Sequence, residues 1–160
     1  MSDMLSREKM RDEFLDRIDR LYEQVRKWIL NFDSKAEITE ESLKLVEEPV
    51  GSYLAHALII KRSDRKTVSL IPRGRWIIGA EGRVDIKSDL GTETLVYVLD
   101  GGPAITINML TENGKVLATK QRSIAKNLVE GWVFVQNRQI GLLPSLDENL
   151  FCQLLEVLGQ

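Results

Sequence analysis

The sequence predicts an α+β fold in which a long N-terminal helix packs on a twisted, mostly antiparallel β-sheet and a second helix closes the chain. Three observations predict it: apolar residues follow a helical period near the N-terminus, short strand-like segments fill the middle, and an amphipathic segment comes last. The middle lacks the strand–helix alternation that is typical of a parallel sheet. We therefore expect about six to seven strands in an antiparallel arrangement.

The N-terminal helix is predicted to run from about Ser6, as its N-cap, to Phe32. Its apolar residues recur at spacings of three and four, which places them on one face of a helix. This stripe contains Phe14, Ile18, Leu21, Val25, Trp28 and Phe32. Because the stripe is wider than the two-position seam of a coiled coil, we favour a helix laid across a sheet over a coiled-coil dimer.

Residues 38–48 are compatible with two structures. Thr39 could cap a short helix, whereas Leu43 and Leu45 could instead lie on one face of a first strand. Pro49 ends either element. The sequence leaves both alternatives open.

The remaining segments alternate between strand-like runs and turns. Residues 63–66 are predicted to form a hairpin turn, and Asn113-Gly114 is a strong hairpin signal because both residues tolerate positive φ. After Pro144, either Ser145 or Asp147 is expected to cap the closing helix. The strand-like segments, from which we expect the six to seven strands to form, are 57–60, 67–71, 76–78, 83–86, 94–99, 104–109, 115–118, 132–135 and 139–140.

The composition is that of a soluble globular protein, with 43% hydrophobic and 29% charged residues among 160. One domain, residues 1–160, is expected at this length. No apolar run approaches the roughly 20 residues of a membrane helix, so we expect a cytoplasmic protein without a membrane partner. A single histidine, His56, and a single cysteine, Cys152, exclude an intramolecular disulfide and a zinc site built on cysteines and histidines. No cofactor is expected.

The charge of the chain is unevenly distributed. Residues 61–87 hold eight Lys and Arg against three Asp and Glu, although the whole chain has a formal net charge of −2. Within this basic window, Arg73, Arg75 and Arg83 could bind phosphate through their planar guanidinium groups, and Trp76 could stack on a base. The window therefore predicts a site for an anionic ligand, and it leaves nucleic-acid binding open.

The same window contains Asp85-Ile86-Lys87, which has the form of the D-x-K half-motif of metal-dependent nucleases. In a strand, Asp85 and Lys87 share one face while Ile86 is buried on the other. The carboxylate could hold Mg²⁺, and the ammonium could stabilise developing charge.

With its preceding helix and strands, this motif resembles the restriction-endonuclease-like family. That resemblance implies Asp64 as a second carboxylate, Glu23 or a neighbour as the carboxylate on the N-terminal helix, and a magnesium-dependent cleavage of nucleic acid. The chain departs from the family after the lysine strand, where residues 91–98 read as another strand rather than as a helix.

No complete catalytic constellation can be assembled from one histidine, one cysteine and scattered carboxylates. The sequence therefore favours a non-enzymatic binding, interaction or regulatory protein whose partner is another protein or an anionic ligand. A magnesium-dependent nuclease is the alternative. Neither the partner nor the oligomeric state follows from the sequence.

Overall fold

The fold is α+β, as predicted. The computed structural model of the protein describes residues 2–75, 80–99, 104–110, 116–123, 129–137 and 142–158. The elements are α1 (Ser2–Phe32), β1 (Glu37–Glu47), β2 (Gly51–Lys61), β3 (Thr67–Gly74), β4 (Arg83–Ser88), β5 (Gly91–Val98), β6 (Ala104–Leu110), β7 (Val116–Ser123), β8 (Gly131–Phe134) and α2 (Glu148–Leu158).

Six strands form one antiparallel sheet in the order β1-β2-β3-β4-β5-β8. Within the described ranges, strands β6 and β7 pair only with each other, so the larger sheet contains six of the strands and a separate ribbon contains two. The predicted strands 76–78 and 139–140 and the Asn113-Gly114 turn lie outside the described residues.

The structure corrects one detail of the sequence prediction and decides another. Helix α1 begins at Ser2, so Ser6 lies inside the helix and the prediction that it caps the N-terminus was wrong. Of the two alternatives for residues 38–48, a helix or a strand, the strand is correct, because β1 pairs with β2 along its whole length. The β1 side chains alternate between exposed and half-buried over much of this length, which is typical of an edge strand with one face on the core.

The apolar stripe of α1 lies on the inner face of the sheet. Phe14, Ile18, Leu21, Val25 and Ile29 are buried there with the inward residues of β2 to β5. The stripe is therefore used within the chain, as the wide pattern predicts. The hydroxyl of Tyr22 donates to the His56 carbonyl at 2.7 Å, which ties the middle of α1 to β2.

Helix α2 closes the same core. Its buried residues Phe151, Leu154, Leu155 and Leu158 join the cluster under α1. The ring of Phe151 lies 5.8 Å from that of Trp28, centroid to centroid, so the last helix contacts the first. Both helices thus pack on the inner face, and neither covers the outer face of β3 and β4.

Asp147 caps α2, as one of the two sequence alternatives proposed. Its Oδ1 accepts the backbone N–H of Leu150 at 2.8 Å. We expect Asp147→Ala to lower the free energy of unfolding by about 1 kcal/mol, because that amide then loses its acceptor. Urea denaturation measures this loss, and Asn149→Ala on the exposed side of the same turn is the matched control. Equal losses in the two variants would contradict the capping role.

Candidate functional site

The outer face of the sheet brings three residues of the basic window together. On β3 and β4, Val68, Leu70, Val84 and Ile86 point into the core and are fully buried. By alternation, Arg73, Arg83, Asp85 and Lys87 point to the opposite face. The sequence prediction that Asp85 and Lys87 share a face, with Ile86 on the other, is confirmed.

Asp85 lies between two arginines. The Nε of Arg73 donates to its Oδ2 at 2.9 Å, and the Nε of Arg83 donates to its Oδ1 at 2.9 Å. Nη2 of Arg83 and the Thr94 hydroxyl make longer contacts with the same carboxylate, at 3.4 and 3.5 Å. We call Arg73, Asp85 and Arg83 the arginine–aspartate cluster.

The cluster buries its carboxylate and leaves its cations accessible. The Asp85 side chain is 5% exposed, whereas those of Arg73 and Arg83 are 47% and 35% exposed. A buried carboxylate needs charge-assisted donors to offset its desolvation, and the two Nε groups supply them. Asp85 therefore holds two guanidinium groups in place at the surface of the sheet.

The local backbone makes this arrangement possible. The β3–β4 register shifts between Pro72 and Gly74, so that Gly74 rather than Arg73 is paired with Arg83. Gly74 has φ of +142°, a conformation that side-chain-bearing residues rarely adopt. Irregularities of this kind re-aim a side chain at the end of a strand. Arg73 precedes this position and reaches Asp85 across the strand pair.

The other predicted ligand-binding residues do not join this cluster. The Arg75 guanidinium is paired with the Glu81 carboxylate and its side chain is 17% exposed. Trp76 lies outside the described residues, so its predicted stacking role stays a prediction. Of the four predicted residues, Arg73 and Arg83 are brought together.

The basic window is continuous in sequence and divided in space. Arg62 belongs to the β2–β3 turn, where it donates to the Leu155 carbonyl at 2.9 Å and pairs with Asp64 at 3.2 Å. It thereby anchors α2 to the hairpin. Arg73 lies at the opposite end of β3, about 20 Å from Thr67 at the usual rise per residue of a strand.

The carboxylates of the nuclease alternative are not brought together. Asp64 lies in the β2–β3 turn, whereas Asp85 pairs with Ile71, about 13 Å beyond Thr67 along β3. Asp64 is paired with Arg62, and Asp85 is held by Arg73 and Arg83. Among the described residues, no three His, Cys, Asp or Glu side chains form a group that could hold a metal ion. The geometry gives the half-motif no second carboxylate.

Cys152, the only thiol, is half-buried on α2. Burial, together with the nearby charges of Glu148 and Glu156, raises the pKa of its thiol. A higher pKa lowers the thiolate fraction, and the thiolate is the reactive form of cysteine. This environment therefore favours an unreactive thiol.

In the part of the chain that the structure describes, neither helix combines the length and apolarity needed to cross a bilayer. Fold and site define an α+β protein whose antiparallel sheet has both helices on one face and an arginine–aspartate cluster on the other. No protein-family model, curated protein or solved structure matches the chain. The function of the protein is therefore inferred from the geometry of its side chains.

Proposed function

We propose that this chain is a non-enzymatic binding protein that recognises an anionic ligand on the outer face of its sheet, through Arg73 and Arg83. One observation carries the proposal: both guanidinium groups make their close contact with Asp85 through Nε. Among the described residues, neither Nη group of Arg73 has a carboxylate or carbonyl partner. These donors are available to a phosphate or carboxylate group.

Because Asp85 holds Arg73 and Arg83 in place, we expect the cluster to bind an anion more tightly than two unrestrained arginines would. A surface arginine loses side-chain freedom when it binds, and this loss weakens binding. Here the buried Asp85 has already ordered both side chains in the free protein. The bound ligand then contributes hydrogen bonds at a reduced entropic cost.

The local charge has the right sign for an anion. Arg73 and Arg83 together outweigh Asp85 by one positive charge, and Lys87 adds a second on the same face of β4. The chain as a whole has a net charge of −2, so no global field attracts an anion. Binding should therefore depend on the positioned donors more than on long-range steering.

The first test compares binding of inorganic pyrophosphate, citrate and a single-stranded oligonucleotide by isothermal titration calorimetry at low salt. We expect at least one of them to bind, and the double change Arg73→Gln and Arg83→Gln to weaken it by about tenfold or more. Arg7→Gln is the control, because this arginine is exposed on α1 and lines neither of the two proposed sites. Binding of the oligonucleotide alone would identify the ligand as a nucleic acid.

The Asp85→Asn variant distinguishes binding by two preorganised guanidinium groups from binding by charge attraction alone. The substitution removes a negative charge, so attraction alone predicts tighter binding of an anion. Preorganisation predicts weaker binding, because a neutral amide holds two guanidinium groups less well than a carboxylate does. We expect the affinity to fall, with urea denaturation confirming that the variant is folded. Tighter binding, or no binding of any of the three anions to the unmodified protein, would contradict the proposal.

A further inference from the structure

A cleft lies on the inner face of the sheet, opposite the arginine–aspartate cluster, where α1 passes the ends of β5 and β8. Its volume is about 340 Å³, within the size range of small-molecule sites. The residues on which its chemistry depends are Arg17, Leu21, Tyr97, Glu130, Trp132 and Leu146. None of them is among the residues for which the sequence predicts a function.

Two aromatic rings and a guanidinium form one wall of the cleft. Tyr97 and Trp132 meet edge to face, with centroids 5.5 Å apart and planes at 79°. The Cζ atom of Arg17 lies 4.3 Å from the centroid of the Tyr97 ring. The Tyr97 hydroxyl donates to Oε2 of Glu130 at 2.7 Å, so the ring is fixed on both sides.

The charge of Arg17 is poorly compensated for a side chain that is only 17% exposed. Among the described residues, the one carboxylate in ion-pair range is that of Glu13, at 4.0 Å. Nη1 of Arg17 contacts the Glu81 carbonyl at 3.4 Å. By contrast, the arginines that hold Asp85 do so at 2.9 Å. A largely buried guanidinium without a close anion costs free energy that a bound carboxylate would recover.

Trp132 lines the same cleft with its ring. Its indole Nε1 is buried and has no acceptor within the described part of the chain. Buried donors are nearly always hydrogen-bonded, and an unpaired one is destabilising. The cleft thus joins a guanidinium that lacks a close carboxylate partner among the described residues to the Trp132 ring and to the apolar surfaces of Leu21 and Leu146.

We infer that this cleft binds a small carboxylic acid with an aromatic or aliphatic body. The carboxylate pairs with Arg17, and the body packs against Trp132, Leu21 and Leu146. The inference is independent of the arginine–aspartate cluster, because Tyr97 and Thr94 belong to opposite faces of β5. A ligand in the cleft does not contact Arg73 or Arg83.

Phenylbutyrate and its neutral counterpart phenylbutanol test the role of Arg17. We expect phenylbutyrate to bind in the micromolar to millimolar range and to shift the indole N–H resonance of Trp132, identified with Trp132→Phe. Arg17→Gln should weaken phenylbutyrate by about tenfold while leaving phenylbutanol within about twofold. Binding at the outer face of whichever of the three anions the unmodified protein binds should be unchanged in this variant, so the two proposals can be tested separately.

Leu146→Trp provides a second variant that tests the location of the site by filling the cleft. It should abolish binding of both compounds while the protein still unfolds cooperatively. Equal affinity of the acid and the alcohol for the unmodified protein would overturn the pairing with Arg17. Failure of both phenylbutyrate and octanoate to bind at millimolar concentration would overturn the site itself.

Discussion

Replacement of Phe14 by alanine is expected to lower the free energy of unfolding by about 3 to 5 kcal/mol. The Phe14 side chain is fully buried between α1 and the sheet, where two of its ring atoms lie closely over the backbone of Gly82. The surrounding strands hold their positions through backbone hydrogen bonds, so they cannot collapse into the cavity. Urea denaturation followed by circular dichroism measures the loss.

Leu5→Ala is the matched control for this experiment. Leu5 lies on the same helix and is 67% exposed, so its truncation should change the free energy of unfolding by less than about 0.5 kcal/mol. A loss below about 1 kcal/mol for Phe14→Ala would mean that α1 is not part of the cooperative core.

Gly74→Ala is expected to have the second large effect. The φ of +142° is strained for any residue with a side chain, which alone costs about 1 to 3 kcal/mol. In addition, a Cβ at this position would overlap the Glu47 carboxylate, which accepts a hydrogen bond from the Tyr53 hydroxyl. The substitution therefore disturbs the backbone and a contact between β1 and β2 at once.

Gly91→Ala separates these two causes. Gly91 has a similar φ of +153°, but no atom lies within 4 Å of the Cβ that alanine would add. It should show the backbone strain without the overlap, so Gly74→Ala should be the more destabilising of the two in the same urea titration. Equal losses would show that the Glu47 side chain moves aside freely.

The helices and most of the strands could be predicted because local patterns decide them. The apolar stripe from Phe14 to Phe32 has the period of a helix, and no competing strand pattern exists there. Residues 38–48 were ambiguous for a physical reason. As an edge strand, β1 buries only part of one face, which leaves too few apolar residues to distinguish its period.

The cluster around Asp85 could be predicted only in part. Strand alternation placed Asp85 and Lys87 on one face, but it could not show that Arg73 reaches the same carboxylate. That contact depends on the pairing of β3 with β4 and on the shift of register between Pro72 and Gly74. Both are tertiary features. The cleft at Arg17 has the same origin, because its walls come from α1, β5 and β8.

The contact between the first and last helices also constrains how the chain folds during synthesis. Helix α1 precedes all its packing partners in the chain, so its apolar stripe leaves the ribosome uncovered. Strands β2 to β5 can shield most of it as they emerge, since each pairs with its neighbour in sequence. Phe151, which contacts Trp28, is synthesised only after all the strands from β1 to β8. Nascent chains that stall before α2 therefore expose apolar surface and are the species most prone to aggregate or to require a chaperone.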